Sequence, residues 1–122
     1  MPHLTVHAAE TDLTGHEDAL ITALTDAVTT VYGDWARPIA VVRLVGVPTG
    51  RWGIGGEATT NPAPTVAFGI KAQALEHPDI LKRLAGGVTD AIGGILGHHD
   101  QITVDFIPTQ PGTTAVGGTL TD

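Results

Sequence analysis

The feature that most constrains this chain of 122 residues is an internal repeat. The segment Gly50-Arg-Trp-Gly-Ile-Gly-Gly-Glu-Ala-Thr59 returns as Gly112-Thr-Thr-Ala-Val-Gly-Gly-Thr-Leu-Thr121, an offset of 62 residues with four of ten positions identical. The same offset lays Val42 on Val104, Leu44 on Phe106, Val45 on Ile107 and Pro2 on Pro64. One offset that aligns both ends of each half describes a single domain over 1–122, with pseudo-repeats 2–60 and 64–121.

Each half predicts the same order of elements. Leu4, Val6 and Ala8 alternate with His3, Thr5 and His7, the period of a half-buried strand. Thr14-Gly-His-Glu17 reads as a capping box opening a helix. The face of that helix is Leu20, Ala23, Leu24, Ala27, Val28 and Val31, and Gly33 ends it. A β-branched run, Ile39 to Val47, follows. The second half gives a strand Thr65–Lys71 and a helix with Pro78 in its first turn and Leu81, Leu84, Val88, Ala91, Ile92 and Ile95 on its apolar face. Gly97 stops that helix, and a last strand spans Gln101–Ile107. The glycine pairs Gly86-Gly87 and Gly93-Gly94 are expected to let the second helix approach the sheet.

Strand, helix, strand, twice over, is two βαβ units with right-handed crossovers. Joined, they form an α+β fold: a four-stranded sheet with two helices on one face. Nothing in the chain is left to cover the other face, where either Ile39, Val41 and Val45 or Ala40, Val42 and Leu44 point. A sheet apolar on both sides implies a second copy.

Composition removes whole classes of function. Thirteen acidic against six basic residues give a net charge of −7, a poor match for nucleic acid. The chain has no Cys, which excludes disulfides, thiolate metal sites and a thiol nucleophile. No apolar run reaches the ~18 to 20 residues of a membrane span, and MPHLTVHAAE lacks the basic start and apolar stretch of a signal peptide. A cytoplasmic protein is expected. His3 and His7 share one side of a strand but stand about 13 Å apart, too far to chelate one metal. His98-His99-Asp100 follows a helix and reads as a solvated loop. No metal and no cofactor are expected.

Met1-Pro2 opening a strand, the βαβ repeat, Val42-Arg43-Leu44 and the hairpin Gly50-Arg-Trp-Gly-Ile-Gly-Gly-Glu57 together resemble the tautomerase superfamily. The first half is most similar to 4-oxalocrotonate tautomerase. Two such units fused head to tail resemble the macrophage migration inhibitory factor and 5-carboxymethyl-2-hydroxymuconate isomerase branches. The resemblance implies a homotrimer with active sites between subunits around an N-terminal proline. It implies a cofactor-independent isomerase acting on a small α-keto acid.

Carried onto this chain, the resemblance makes Pro2 the general base. Met before a small residue is normally trimmed, which would leave the Pro2 nitrogen a secondary amine; with Met1 retained it is an amide and no base. An α-amino group has a reference pKa of about 7.7 to 8.0, suited to proton abstraction beside a carbonyl at neutral pH. Arg43 would bind the substrate carboxylate through its planar fork, and Trp52 would supply an apolar wall. The chain departs from the family where 4-oxalocrotonate tautomerase carries a second arginine, because Glu10-Thr11-Asp12 stands there. A monocarboxylate such as an arylpyruvate fits better than a dicarboxylate unless Arg51, Arg37 or Lys71 compensates. Asp105, the repeat counterpart of Arg43, either pairs with an arginine of a neighbouring copy or lines its site. In the latter role it supports a hydratase, dehalogenase or decarboxylase of a three-carbon acid. A non-catalytic trimeric binding protein is the third alternative.

Overall fold

The computed structural model describes residues 2–121, so the removal of Met1 concerns a residue outside those described. The first half runs β1 (His3–Ala9), α1 (Glu10–Leu13), α2 (Glu17–Tyr32), β2 (Val41–Val47) and a hairpin of β3 (Gly53–Ile54) and β4 (Glu57–Ala58). The second runs β5 (Thr65–Lys71), α3 (Pro78–Leu96), β6 (Thr103–Thr109) and a hairpin of β7 (Thr114–Val116) and β8 (Thr119–Thr121). Short 3-10 turns at Asp34–Ile39, Ala72–Glu76 and His99–Gln101 join these elements.

The central sheet has the order β2-β1-β5-β6. β2 lies parallel to β1 and β6 parallel to β5, as crossovers through α2 and α3 require, while β1 and β5 meet antiparallel. The repeat governs the register: His3 pairs with Val41 and Thr65 pairs with Thr103, each one offset on. Where the halves meet, Thr5 pairs with Ala67, so the approximate dyad passes between these two residues.

Alternation decides which face is buried. Leu4, Val6 and Ala8 on β1, with Val66, Phe68 and Ile70 on β5, point to the helices and are almost wholly shielded from solvent. Leu20, Leu24 and Val28 of α2 and Leu84, Val88 and Ile92 of α3, spaced four apart, close over them. Phe68 stacks obliquely on Phe106 with ring centres 5.4 Å apart. The core is therefore aliphatic around one aromatic pair.

Both hairpins turn on paired glycines. Gly55 and Gly56 have φ of 63° and 86°, and Gly117 and Gly118 have 59° and 83°. Two successive left-handed residues make the tight turn that matches strand twist, and this is why the Gly-Gly pair recurs in the repeat.

Four expectations need correction. The capping box does not open α2: the Thr14 hydroxyl donates to the Glu10 carbonyl at 2.9 Å and closes the extra turn α1. Glu17 still serves the helix start, its carboxylate accepting from the Gly15 N–H at 2.8 Å. β2 begins at Val41 because Pro38 lies in a 3-10 turn that extends through Ile39, and β6 is Thr103–Thr109 because His99–Gln101 turns first. The glycine pairs do not approach the sheet. A Cβ on Gly87 would touch Ala27 of α2 at 3.6 Å, and one on Gly93 would strike the His99 ring at 2.9 Å. The open face is also more polar than a doubly apolar sheet. Val42 and Leu44 pack on the core, which leaves Val41, Arg43 and Val45 on the open side in register with His3, Thr5 and His7.

At the end of α3, His99 Nε2 lies 2.7 Å from an Asp90 oxygen and Nδ1 lies 3.4 Å from Asp100. These hydrogen bonds raise the imidazole pKa above 6.5. A raised histidine stabilises the fold fully below 6.5, and the contribution disappears as pH climbs through the raised value. His99→Gln should therefore lower the urea midpoint at pH 5.5 and leave it nearly unchanged at pH 9. Phe68→Ala should cost about 3–5 kcal/mol, read from the same urea curves at fixed protein concentration.

Candidate active site

Pro2 sits at the head of β1, buried, with its carbonyl accepting the Val41 N–H at 3.0 Å. The β1–β5 register, continued one step past His3 and Gly69, brings Pro2 beside Ile70. Both line a cleft of about 390 Å³ whose other walls include Tyr32, Trp35, Ile39 and Ile80. Lys71, Gln73 and His77 provide its polar lining.

Local sequence explains the aromatic wall. Gly33 ends α2 at φ 108°, a conformation that favours glycine, and a Cβ there would meet the Trp35 ring at 3.2 Å. The 3-10 turn Asp34–Ile39 then carries Trp35 back, so that its indole N–H donates to the Tyr32 carbonyl at 2.6 Å. The two rings are 6.0 Å apart. Burial raises the Tyr32 phenol pKa above 10, which keeps it a neutral donor at physiological pH. Trp35 remains 63% exposed, an apolar surface at the mouth of the Pro2 cleft.

The other residues singled out from the sequence are not gathered here within one chain. Arg43 lies mid-strand on the open face, opposite Thr5, exposed and without an ion-pair partner among the described residues. Asp105 lies in the same transverse row, opposite Ala67 on the far edge strand. Three inter-strand steps separate the two, about 14 Å, so one copy's Arg43 cannot pair with its own Asp105. Arg51 and Trp52 line a shallow cleft with His7, Val47, Gly53 and Thr65. That cleft is at the far end of β1, roughly 20 Å from Pro2. The aromatic wall beside Pro2 comes instead from Tyr32 and Trp35, which sequence reading missed. The signal was the Gly33-Asp34-Trp35 break between helix and strand.

His3 links this end of the sheet to Arg43. Its ring packs on the flat side of Gly69, where an added Cβ would stand 3.0 Å from the His3 Cδ2 atom. Desolvation and then the Arg43 guanidinium lower its pKa below 6.5, so His3 is neutral at physiological pH.

This arrangement is similar to that of several solved structures. A fused 4-OT solved as an asymmetric trimer superposes with a TM-score of 0.87 at 19% identity, covering 97% of this chain and 94% of that one. Pt0534 inactivated by 2-oxo-3-pentynoate superposes with a TM-score of 0.84 at 16% identity and the same coverage. Macrophage migration inhibitory factor of Toxoplasma gondii gives 0.78 at 16% identity, over 98% of this chain and 99% of that one. All three are tautomerase-superfamily proteins. This chain has the tautomerase fold. No protein-family model matches its sequence, and comparison with curated proteins gives no match.

At the head of β1 a proline, a cation and an apolar wall line one cleft. The electrostatic link along the open face is directly measurable. The NMR titration of the His3 ring should have its midpoint below 6.5. Arg43→Gln should move it only part of the way back, because desolvation, the larger cause, remains.

Proposed function

We propose that this protein is a cofactor-independent tautomerase of a small α-keto acid, with Pro2 as its general base. The observation that carries the proposal is the position of Pro2, buried at the head of β1 and lining a cleft with cationic and aromatic walls. Once Met1 is removed, the Pro2 nitrogen is a secondary amine facing an apolar site. It takes a proton from the carbon beside the keto group, and the electron pair moves onto the carbonyl oxygen. The same proton returns to that oxygen or to a conjugated carbon, so the reaction balances without a co-reactant. Arg43, or Arg43 of a neighbouring copy, offers a fork for the carboxylate and for the charge developing on the oxygen.

A homotrimer belongs to this proposal. The fused 4-OT neighbours are solved as trimers, and the hairpins here expose Ile54 (63%), Val116 (54%) and Leu120 (66%). A ring of copies would cover these residues and the open sheet face, and would carry Arg51 and Trp52 from the far end of one sheet towards the site of the next. Asp105 does not line the Pro2 cleft of its own chain. The hydratase, dehalogenase or decarboxylase alternative, which needs a carboxylate beside the proline, would therefore have to take Asp105 from a neighbouring copy.

Untagged protein should have an intact mass lacking one methionine, and it should ketonise phenylenolpyruvate. Pro2→Ala should lower kcat/KM about 100-fold or more, the scale of a lost general base. A retained methionine, or an unchanged rate in Pro2→Ala, would overturn proline catalysis and favour the binding-protein alternative.

A further inference from the structure

We propose that the Tyr32 hydroxyl donates a hydrogen bond to the keto oxygen of a substrate held in the Pro2 cleft, and so stabilises the negative charge that forms there when the neighbouring carbon loses its proton. The catalytic part rests on the Pro2 reading, whereas the contact with the carbonyl does not.

Tyr32 reaches the cleft because of its place on α2. Leu20, Leu24 and Val28 are buried in the core, and Tyr32 is the next position at the same spacing of four. Its ring therefore packs on that core. The helix ends at Gly33, and the ring also lines the cleft with Pro2 and Ile70. Trp35 holds it from outside: the indole N–H donates to the Tyr32 carbonyl at 2.6 Å, and the two rings stand 6.0 Å apart.

The hydroxyl is the part of this residue that the fold leaves without a role. It forms no hydrogen bond among the described residues. Nor is any described side-chain oxygen or nitrogen both enclosed and unpartnered. The phenol oxygen thus emerges from the core at an accessible surface, with its donor available to a ligand.

The other polar groups of the cleft are placed differently. The Trp35 N–H is already engaged. Lys71, Gln73 and His77 are exposed, where a hydrogen bond competes with water. Arg43 of the same chain lies mid-strand on the open face and does not line this cleft. Tyr32 is half-buried, and a donor held away from water stabilises a developing charge more than one in water. The same burial keeps the phenol protonated at neutral pH.

The step balances without a further reactant. Pro2, as a free amine, takes the proton from the carbon beside the keto group. The C–H electron pair becomes a carbon–carbon double bond, and the carbonyl pair moves onto oxygen. Tyr32 donates to that oxygen and keeps its own proton, and the proton on Pro2 returns to carbon or oxygen.

Tyr32→Phe tests this, since it removes the hydroxyl and keeps the ring. With no partner lost inside the protein, its urea midpoint should match wild type. Two unreactive ligands of equal length are compared by calorimetry: N-benzyloxamate, with a carbonyl beside its carboxylate, and 4-phenylbutanoate, with a methylene there. Tyr32→Phe should weaken N-benzyloxamate about 3- to 10-fold and leave 4-phenylbutanoate unchanged. It should also lower kcat for ketonisation of phenylenolpyruvate about 10- to 100-fold with KM little changed. Equal affinity of wild type and Tyr32→Phe for N-benzyloxamate overturns the proposal, and so does an equal loss for both ligands, which would mean that the phenol only shapes the cleft. An unchanged kcat, where Pro2→Ala abolishes activity, overturns the catalytic part. If Pro2→Ala keeps full activity while Tyr32→Phe still weakens N-benzyloxamate selectively, the proline mechanism fails and the carbonyl contact stands.

Discussion

The antiparallel seam between β1 and β5 is the contact on which the rest of the molecule depends. Each half is a βαβ unit that cannot cover its own sheet edge. Pairing Thr5 with Ala67 fuses two such units into one four-stranded sheet. That register sends Leu4, Val6, Val66 and Phe68 to one side together, where two helices shield them. A slip of one residue would turn one strand's set, Val66 and Phe68 or Leu4 and Val6, to the open face. It would also move Pro2 away from Ile70 and Lys71. The seam that sets the core therefore sets the candidate site as well.

The approximate dyad at this seam makes the functional asymmetry easy to locate. Pro2 and Pro64 are equivalent, and each carbonyl accepts one strand N–H, from Val41 at 3.0 Å and from Thr103 at 3.3 Å. Only Pro2 can have a free nitrogen, because Pro64 follows Ala63 in the chain. Arg43 is equivalent to Asp105, Trp52 to Thr114, and Lys71 to the buried Ala9. The scaffold positions coincide in both halves, while the positions able to do chemistry differ.

Much of the fold was legible in the sequence because its signals are local and repeated. The alternation in His3–Ala8, the four-residue spacing of Leu20, Leu24 and Val28, and the Gly-Gly hairpins each act over a few residues and specify one element. The misjudged points were those where local signals compete. Thr14 suits a helix start, but its hydroxyl closes the turn before it. Ile39 suits a strand, but Pro38 keeps it in a 3-10 turn. The site was less legible, since the Pro2 cleft is built from the end of α2, the turn after it, the end of β5 and the start of α3. Sequence spacing carries no information about which of those ends converge. Trp52 was the aromatic with a motif around it, whereas Trp35, without one, stands beside Pro2.

Charge imposes the last constraint. At a net charge of −7 the protein as a whole repels an anionic substrate, and only local cations can reverse that field. The described open face holds Arg43 mid-strand on β2 and Lys71 at the end of β5, with His3 on β1 held below the usual imidazole range by desolvation and by Arg43. Neutral His3 can donate a hydrogen bond to a carboxylate without competing with a positively charged neighbour. In the proposed reading, Lys71 in the Pro2 cleft is the cation nearest the base. A chain this acidic therefore leaves the attraction of any anionic ligand to the few cations around one end of one sheet face.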